Sequence, residues 1–138
     1  MNLENTKYLL ETYPILYGQH KLSPKETLMC WLFECSDGWL KLIDDLSAKI
    51  VAIDPIAEVM QVKEKYGGLR YYMGPLNIET ADQIYKLIEE AEDLSYKTCE
   101  ECGTMENVST NKQGWLYTLC DQCRKDLYEK RHINYQGV

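Results

Sequence analysis

The chain has 138 residues, of which 45% are hydrophobic, and its 22 acidic and 15 basic side chains give a formal net charge of −7. This hydrophobic content excludes global disorder, and the length suits one domain, or one domain with a small metal module. No apolar run is long enough to cross a membrane, so no membrane partner is expected. The negative charge disfavours attraction of the whole molecule to nucleic-acid phosphates. The first residues lack the basic and apolar regions of a secretory signal, so we expect a cytoplasmic protein.

Helix signals occur at three places in the first half of the chain. Residues 3–13 contain apolar side chains that suit a short helix ending before Pro14. Residues 23–26 (Ser-Pro-Lys-Glu) have the composition of a helix start, with a serine cap and a proline in the first position. The apolar residues 28–33 that follow suit either a continuation of that helix or an extended segment. Residues 38–52 repeat apolar side chains every three or four positions, which predicts a helix with one apolar face.

Residues 57–73 have the pattern of a β-hairpin. Gly67 and Gly68 are predicted as its two-residue turn because both can adopt positive φ, and this turn would place Tyr66 opposite Leu69. Strand alternation then separates two faces. The first face is mostly apolar and contains Val62, Glu64, Tyr66, Leu69, Tyr71 and Met73. The second face is basic and polar and contains Gln61, Lys63, Lys65, Arg70 and Tyr72.

A further helix is predicted at residues 80–96, with Thr80 as its cap and Gln83 in the capping-box position. The helix ends just before Cys99, so a following module should pack against its C-terminal end. We therefore predict an α+β domain at residues 1–97, in which helices pack on a small antiparallel hairpin or sheet. A zinc-binding module at residues 98–138 follows it.

Four cysteines form the strongest motif of the chain. Cys99 and Cys102 make one C-x2-C pair, and Cys120 and Cys123 make a second pair after seventeen intervening residues. Two such pairs are typical of a tetrahedral zinc site, because each short turn supplies two thiolates. We predict a structural Zn²⁺ held by these four residues. A knuckle, a strand at residues 115–119 and a helix bearing the second pair indicate a treble-clef-like module, with a zinc ribbon as the alternative.

The same motif argues against catalysis. Four cysteine ligands close the coordination shell, whereas a catalytic zinc usually keeps one position open. The chain also contains none of the common phosphate-binding, dinucleotide-binding or serine-nucleophile motifs. We therefore predict that the protein is not an enzyme. Disulfide exchange at the two cysteine pairs is the alternative role of these residues.

Three further residues are chemically notable but lie outside any motif. Cys30 and Cys35 are predicted as small buried apolar side chains, with a reactive thiol as the alternative. Glu64 lies on the apolar face of the predicted hairpin. If it is buried, it needs a partner such as a tyrosine hydroxyl or an arginine.

The basic face of the hairpin is a candidate binding surface. Lys63, Lys65 and Arg70 beside the ring of Tyr72 suit a phosphate together with a stacked base. The alternative is a solvated sheet face, on which the aliphatic stems of the basic side chains cover apolar neighbours. We prefer the solvated face as the interpretation of this pattern.

Three stretches of the chain together resemble a family of small uncharacterised proteins encoded by bacteriophages and prophages. They are residues 35–44 (CSDGWLKLID), residues 61–72 (QVKEKYGGLRYY), and the cysteine segments at 98–103 (TCEECG) and 114–123 (GWLYTLCDQC). The resemblance covers about residues 30–125. It implies a phage accessory protein in the host cytoplasm with a bound zinc ion, and it carries over no activity and no catalytic residues.

The charge, the eleven tyrosines and this resemblance together indicate a function. Tyrosine combines a large apolar ring with a hydroxyl, which suits protein interfaces. We therefore predict a non-enzymatic protein that binds a host protein, for example to inhibit a host defence system. The alternative is a module that binds nucleic acid or a nucleotide through the hairpin at residues 61–72.

Overall fold

The computed structural model describes the backbone of residues 1–136 and the side chains of residues 1–131. Within this part of the chain, helices and strands follow one another in an α+β order, as predicted. The α-helices are α1 (Leu3–Thr12), α2 (Leu40–Ile53), α3 (Ile78–Ser95) and α4 (Asp121–Gln136). The strands are β1 (Phe33–Glu34), β2 (Val59–Lys65), β3 (Gly68–Met73), β4 (Val108–Thr110) and β5 (Thr118–Cys120). None of the described helices is long and apolar enough to span a lipid bilayer.

The first three strands form one sheet in the order β1-β2-β3. β2 and β3 pair antiparallel as the predicted hairpin, whereas β1 joins β2 in parallel, with Phe33 opposite Val62. The sheet is therefore mixed, and the purely antiparallel prediction is corrected. The ring of Phe33 packs edge-on against Tyr17, with 4.8 Å between ring centroids. This buried contact anchors the short parallel strand in the core.

The helix predicted to begin at Ser23 does not form. The carbonyl of Ser23 accepts hydrogen bonds from the N–H groups of Glu26 and Thr27, which closes one turn. Thr27 then diverts the chain, because its Oγ1 accepts a hydrogen bond from the N–H of Met29 and donates one to the carbonyl of Met60. Such side-chain bonds compete with the backbone bonds of a helix. The segment continues as a 3₁₀ turn that leads into β1.

The predicted register of the hairpin is also wrong, by two residues. The turn is Tyr66-Gly67, both with positive φ (56° and 84°), and Lys65 lies opposite Gly68. A positive φ at both central residues is the requirement of a type I′ turn. Gly68 is needed for a different reason, because a Cβ at this position would overlap the hydroxyl of Tyr96. One glycine therefore shapes the turn, and the other makes room for the residue that follows α3.

A two-residue shift leaves the strand side chains on their predicted faces, but Tyr66, which was predicted on the apolar face, lies in the turn and is exposed. Val62 pairs with Tyr71 on the apolar face, and Lys63 pairs with Arg70 on the basic face. The hydrophobic side chains of the apolar face share one core with those of α2 and α3, and the two helices contact each other. Trp39 belongs to this core and is fully buried. The core side chains contributed by the two helices include Leu42, Ile43, Leu46, Ile50, Ile84, Ile88 and Ala91.

Helix α3 begins earlier than predicted, and its C-terminal end covers the outer edge of the sheet. Its cap is Asn77 and not the predicted Thr80. The side chain of Asn77 accepts a hydrogen bond from the N–H of Glu79 at 3.1 Å. Near its other end, Ser95 Oγ accepts a hydrogen bond from the N–H of Leu69 at 2.9 Å. This bond satisfies a backbone donor on the outer edge of β3, so the helix protects that edge from pairing with another strand.

Candidate metal centre

The four predicted ligands come from three separate elements. Cys99 and Cys102 lie on the turn after α3, Cys120 ends β5, and Cys123 lies in the first turn of α4. Their sulfur atoms all lie within 4.8 Å of one another, and the sulfurs of Cys102 and Cys120 are 3.8 Å apart. Metal–thiolate bonds of about 2.3 Å in a tetrahedral site place the sulfurs about 3.8 Å from one another. The four cysteines therefore fit one tetrahedral metal ion.

The first cysteine pair sits on a knuckle that backbone hydrogen bonds close on both sides. The N–H of Gly103 donates to the carbonyl of Cys99 at 2.9 Å, and the N–H of Cys99 donates to the carbonyl of Thr104 at 2.8 Å. Gly103 has a φ of 80°, a conformation that is open to glycine without strain. The predicted knuckle over residues 99–103 is therefore present, whereas the predicted strand at 115–119 is reduced to Thr118–Cys120.

The electrostatics of the cluster favour a cation among the sulfurs. Burial raises the pKa of the Cys99 thiol, but backbone N–H groups, including those of Cys102 and Cys120, donate to its sulfur and lower the pKa below its usual value. Burial and then the three neighbouring sulfurs raise the pKa of Cys123. Four thiols this close cannot all ionise without a compensating positive charge. A divalent metal ion would supply that charge, and the positive end of the α4 dipole would add to it.

A loop far away in sequence holds the knuckle against the core. We call residues 35–39 the docking loop. The N–H of Gly38 donates to the carbonyl of Glu100 at 2.7 Å, and the indole Nε1 of Trp39 donates to the carbonyl of Thr98 at 3.0 Å. A Cβ at position 38 would overlap the carbonyl oxygens of Cys99 and Glu100. Only glycine allows this approach of two backbones.

The buried carboxylate of Glu100 contributes to the same contact. Its Oε2 accepts a hydrogen bond from the N–H of Ser36 at 2.9 Å. Burial raises the pKa of Glu100, and the Ser36 bond opposes part of that rise. The docking loop is itself held from the other side, because Asp37 Oδ1 accepts hydrogen bonds from the backbone of Asn2 and the side chain of Asn5.

The tip of the β2–β3 hairpin makes the second contact with the metal module. Thr118, which is fully buried on β5, donates a hydrogen bond from Oγ1 to the carbonyl of Gly67 at 2.6 Å. The carbonyl of Thr118 accepts from the N–H of Glu100. The module therefore packs on the hairpin tip and on the docking loop as well as on the end of α3, where the sequence placed it.

Burial and hydrogen bonds within the protein account for Cys30, Cys35 and Glu64. Cys35 is buried, and burial first and Glu100 second raise the pKa of its thiol to about 12. Cys30 is half-buried, and its thiol lies 3.5 Å from the carbonyl of Thr27. Glu64 is half-buried and accepts a hydrogen bond from the N–H of Gly67 at 2.9 Å. Its partner is thus the backbone of the turn and not the tyrosine or arginine that we expected.

The four residues of the predicted basic face have different environments. Arg70 forms an ion pair with Glu92 at 2.5 Å and lies 3.4 Å from the hydroxyl of Tyr96, so its charge is already compensated. Lys63 and Lys65 form no ion pair with any side chain in residues 1–131. Tyr72 is exposed on the same face. The sequence grouped these residues correctly by face, but the structure removes Arg70 from the group that is free to bind a ligand.

Two exposed aromatic residues near these lysines were not predicted as site residues. Tyr66 is 66% exposed and Trp115 is 71% exposed, and both line a cavity of about 330 Å³ together with Lys63 and Lys65. The neighbouring glycines, which mark turns, are the signal that identifies both positions in the sequence: Gly67 follows Tyr66, and Gly114 precedes Trp115.

Chemically, the four-sulfur cluster can hold a metal ion but leaves no open coordination position on a tetrahedral one. Such a centre stabilises a fold rather than activating water or substrate. Comparison of the chain with protein-family models, curated proteins and solved structures finds no match.

Proposed function

We propose that the four cysteines bind a structural Zn²⁺ and that the protein acts by binding another protein, without catalysing a reaction. Four thiolates in tetrahedral geometry suit zinc among the divalent metals available to proteins. The position of the second pair, at the end of a strand and the start of α4, supports a treble-clef-like module. The resemblance to phage-encoded proteins makes a host protein the class of partner that we propose, and a defence protein would fit it.

One surface feature carries the binding proposal. A groove of about 280 Å³ runs between α2 and α3, and a second of about 420 Å³ continues it to the knuckle. Leu42 and Leu94 line both, and Met105, just beyond the knuckle, lines the second. Leu94 is 40% exposed and Met105 is 58% exposed. We call this continuous surface the helix groove, and its apolar floor is formed jointly by the domain and the metal module.

The helix groove suits an amphipathic helix of the partner. Two neighbouring helices with an apolar floor between them can accept a third helix, whose apolar face fills the groove. The charged side chains that line the groove leave its edge with a small excess of negative charge: they are Asp37, Asp45, Glu90, Lys41 and Lys49. A partner helix with basic residues flanking its apolar face would be attracted to this edge. We therefore assign a basic amphipathic helix of a protein partner to the groove.

The test compares two substitutions on the same helix. Affinity-tagged protein is incubated with lysate of cells that carry the gene, and each recovered partner is then purified and titrated calorimetrically. Leu94→Lys should abolish stoichiometric binding, because it places a charge in the apolar floor. Ile78→Lys is the matched control: Ile78 is 89% exposed on α3 and lies outside the groove, so binding should be unchanged. Failure to recover a stoichiometric partner, or equal binding by both variants, would contradict the proposal.

A further inference from the structure

A second surface, distinct from the helix groove, lies where the metal module meets the hairpin. The aromatic pocket is a cavity of about 330 Å³, and the residues that line it are Lys63, Glu64, Lys65, Tyr66, Gly114, Trp115 and Leu116. Its volume lies at the lower end of the range for small-molecule sites. Two large aromatic side chains are left exposed beside it, although burying them elsewhere would favour folding. Exposed aromatic clusters of this kind mark binding surfaces.

Both aromatic side chains are presented by ordered backbone. Tyr66 projects from the type I′ turn of the hairpin, where its φ of 56° is set by the turn. Trp115 lies in a loop organised by Asn111, whose Nδ2 donates to the carbonyls of Gln113 and Trp115, both at 2.7 Å. Asn111 Oδ1 in turn accepts a hydrogen bond from the N–H of Tyr117 at 2.7 Å. The backbone that carries Trp115 is therefore held in place before any ligand arrives, which reduces the entropy lost on binding.

The two lysines and one glutamate that line the pocket give it a small positive charge, in contrast to the molecule as a whole. Lys65 Nζ lies 5.3 Å from the centroid of the Tyr66 ring, within the range of a cation–π contact. Glu64 also lines the pocket, but its carboxylate accepts a hydrogen bond from the N–H of Gly67, and neither lysine has an ion-pair partner among the described side chains. Two ammonium groups beside two flat aromatic rings are complementary to an anion that carries an aromatic ring.

We propose that the aromatic pocket binds one nucleotide unit, either free or within a single strand. Its base stacks on Trp115 or Tyr66, and its phosphate pairs with Lys63 and Lys65. Stacking tolerates any base, because every base has a π-face. The small cavity and the net charge of −7 argue against a duplex or a long polyanion, which would meet repulsion outside the pocket. An acidic peptide would match the two lysines but would leave the aromatic rings without a stacking partner.

The experiment titrates the full-length, metal-loaded protein with three probes at low salt: ATP, a ten-residue thymidine oligonucleotide and a poly-glutamate peptide. Tryptophan fluorescence reports stacking directly, and anisotropy of a labelled oligonucleotide reports affinity. We expect saturable quenching by ATP or the oligonucleotide. Preference for ATP would identify a free nucleotide as the ligand, and preference for the oligonucleotide would identify a single strand. Trp115→Ala should weaken binding at least tenfold, and Lys65→Ala should weaken it severalfold and reduce its salt dependence.

Matched controls separate this site from general effects. Trp31→Ala removes another exposed tryptophan, and Lys41→Ala removes an exposed lysine on α2, so neither should change the affinity. Leu94→Lys, which tests the helix groove, should also leave nucleotide binding intact, so the two proposals fail independently. Binding of poly-glutamate alone, no saturable binding of either nucleotide probe, or equal affinity in Trp115→Ala would overturn the assignment.

Discussion

The metal module meets the rest of the protein on two sides that differ in character. On one side, the docking loop pairs its backbone with residues 98–100 and buries Trp39 completely. On the other side, the hairpin supplies Tyr66 and the metal module supplies Trp115, and both side chains stay exposed around a cavity. The first side resembles a domain core, and the second resembles a binding site. The difference indicates which side the protein uses for stability and which remains free for a ligand.

Metal removal should give the largest effect, because it acts on the element that both sides share. Chelation should unfold the module and loosen the core as well, since Trp39 donates its hydrogen bond to Thr98 beside the first ligand. Structural zinc sites stabilise small modules by roughly 10 kcal/mol or more near neutral pH. We expect near-equimolar zinc by elemental analysis, and after chelation a large fall in melting temperature with a shift in tryptophan fluorescence. Cys30→Ser is the control, because this half-buried cysteine lies outside the cluster.

An opposite result would divide the protein into independent parts. If chelation unfolded the module but left the melting temperature of the core unchanged, the docking loop would not couple the two regions. Purified protein with no metal and with the cysteine pairs oxidised to disulfides would contradict the centre itself.

Gly38→Ala tests the buried side alone. The added methyl group would overlap the carbonyls of Cys99 and Glu100, so the two backbones must separate. Overpacking of this kind destabilises a protein by about 1–3 kcal/mol. We expect a loss near the upper end of that range, because the added methyl group meets backbone atoms that cannot easily move. Urea unfolding should show that loss, whereas Gly18→Ala should stay within about 1 kcal/mol of the parent, because nothing lies within 4 Å of a Cβ there. Equal stability of the two variants would show that the docking contact is loose.

Tyr17→Phe should weaken the core without changing either side of the module. The hydroxyl of Tyr17 is fully buried and lies 2.5 Å from Ser47 Oγ and 2.8 Å from the hydroxyl of Tyr71. Its removal leaves these partners short of a hydrogen bond, and we expect a loss of about 1–2 kcal/mol in urea unfolding at neutral pH. Tyr85→Phe, at an exposed position on α3, is the control. Unchanged metal content and unchanged nucleotide binding in Tyr17→Phe would sharpen the comparison.

The same substitution has a pH signature. Burial raises the pKa of Tyr17 well above its ordinary value of 10.0. The folded state therefore keeps this proton at alkaline pH while the unfolded state releases it, so its stabilising contribution is complete below pH 10 and is lost above it. Stability should fall less steeply above pH 10 in Tyr17→Phe than in the parent protein. Parallel slopes would show that Tyr17 is not the group responsible.

The parts of the fold that sequence reasoning predicted depend on short-range spacing. The cysteine pairs and the apolar face of α2 are each defined within a few residues, so their patterns indicate structure directly. The contact of Gly38 with the knuckle joins segments far apart in sequence, and no local pattern shows what a lone glycine will face. The helix predicted at Ser23 failed for a related reason, because Thr27 bonds to Met60 on a strand that the local pattern does not include. Exposure of Trp115 is likewise decided by tertiary packing.

Arg70→Ala should have the smallest effect, and it locates the border of the exposed side. Arg70 shares a face with Lys63, but its guanidinium is paired with Glu92, and both side chains are partly exposed to solvent. Such a pair contributes on the order of 0.5 kcal/mol after screening by solvent, so urea unfolding should change little. We expect nucleotide affinity to stay within about twofold of the parent, because no free cation is lost. Glu92→Ala is the companion variant: it frees the guanidinium, and enhanced binding in it would mean that the ion pair keeps Arg70 away from the phosphate. If Arg70→Ala instead weakened binding as much as Lys65→Ala, the site would extend from the aromatic pocket across the whole basic face, which is the binding surface that the sequence pattern offered beside the preferred solvated face.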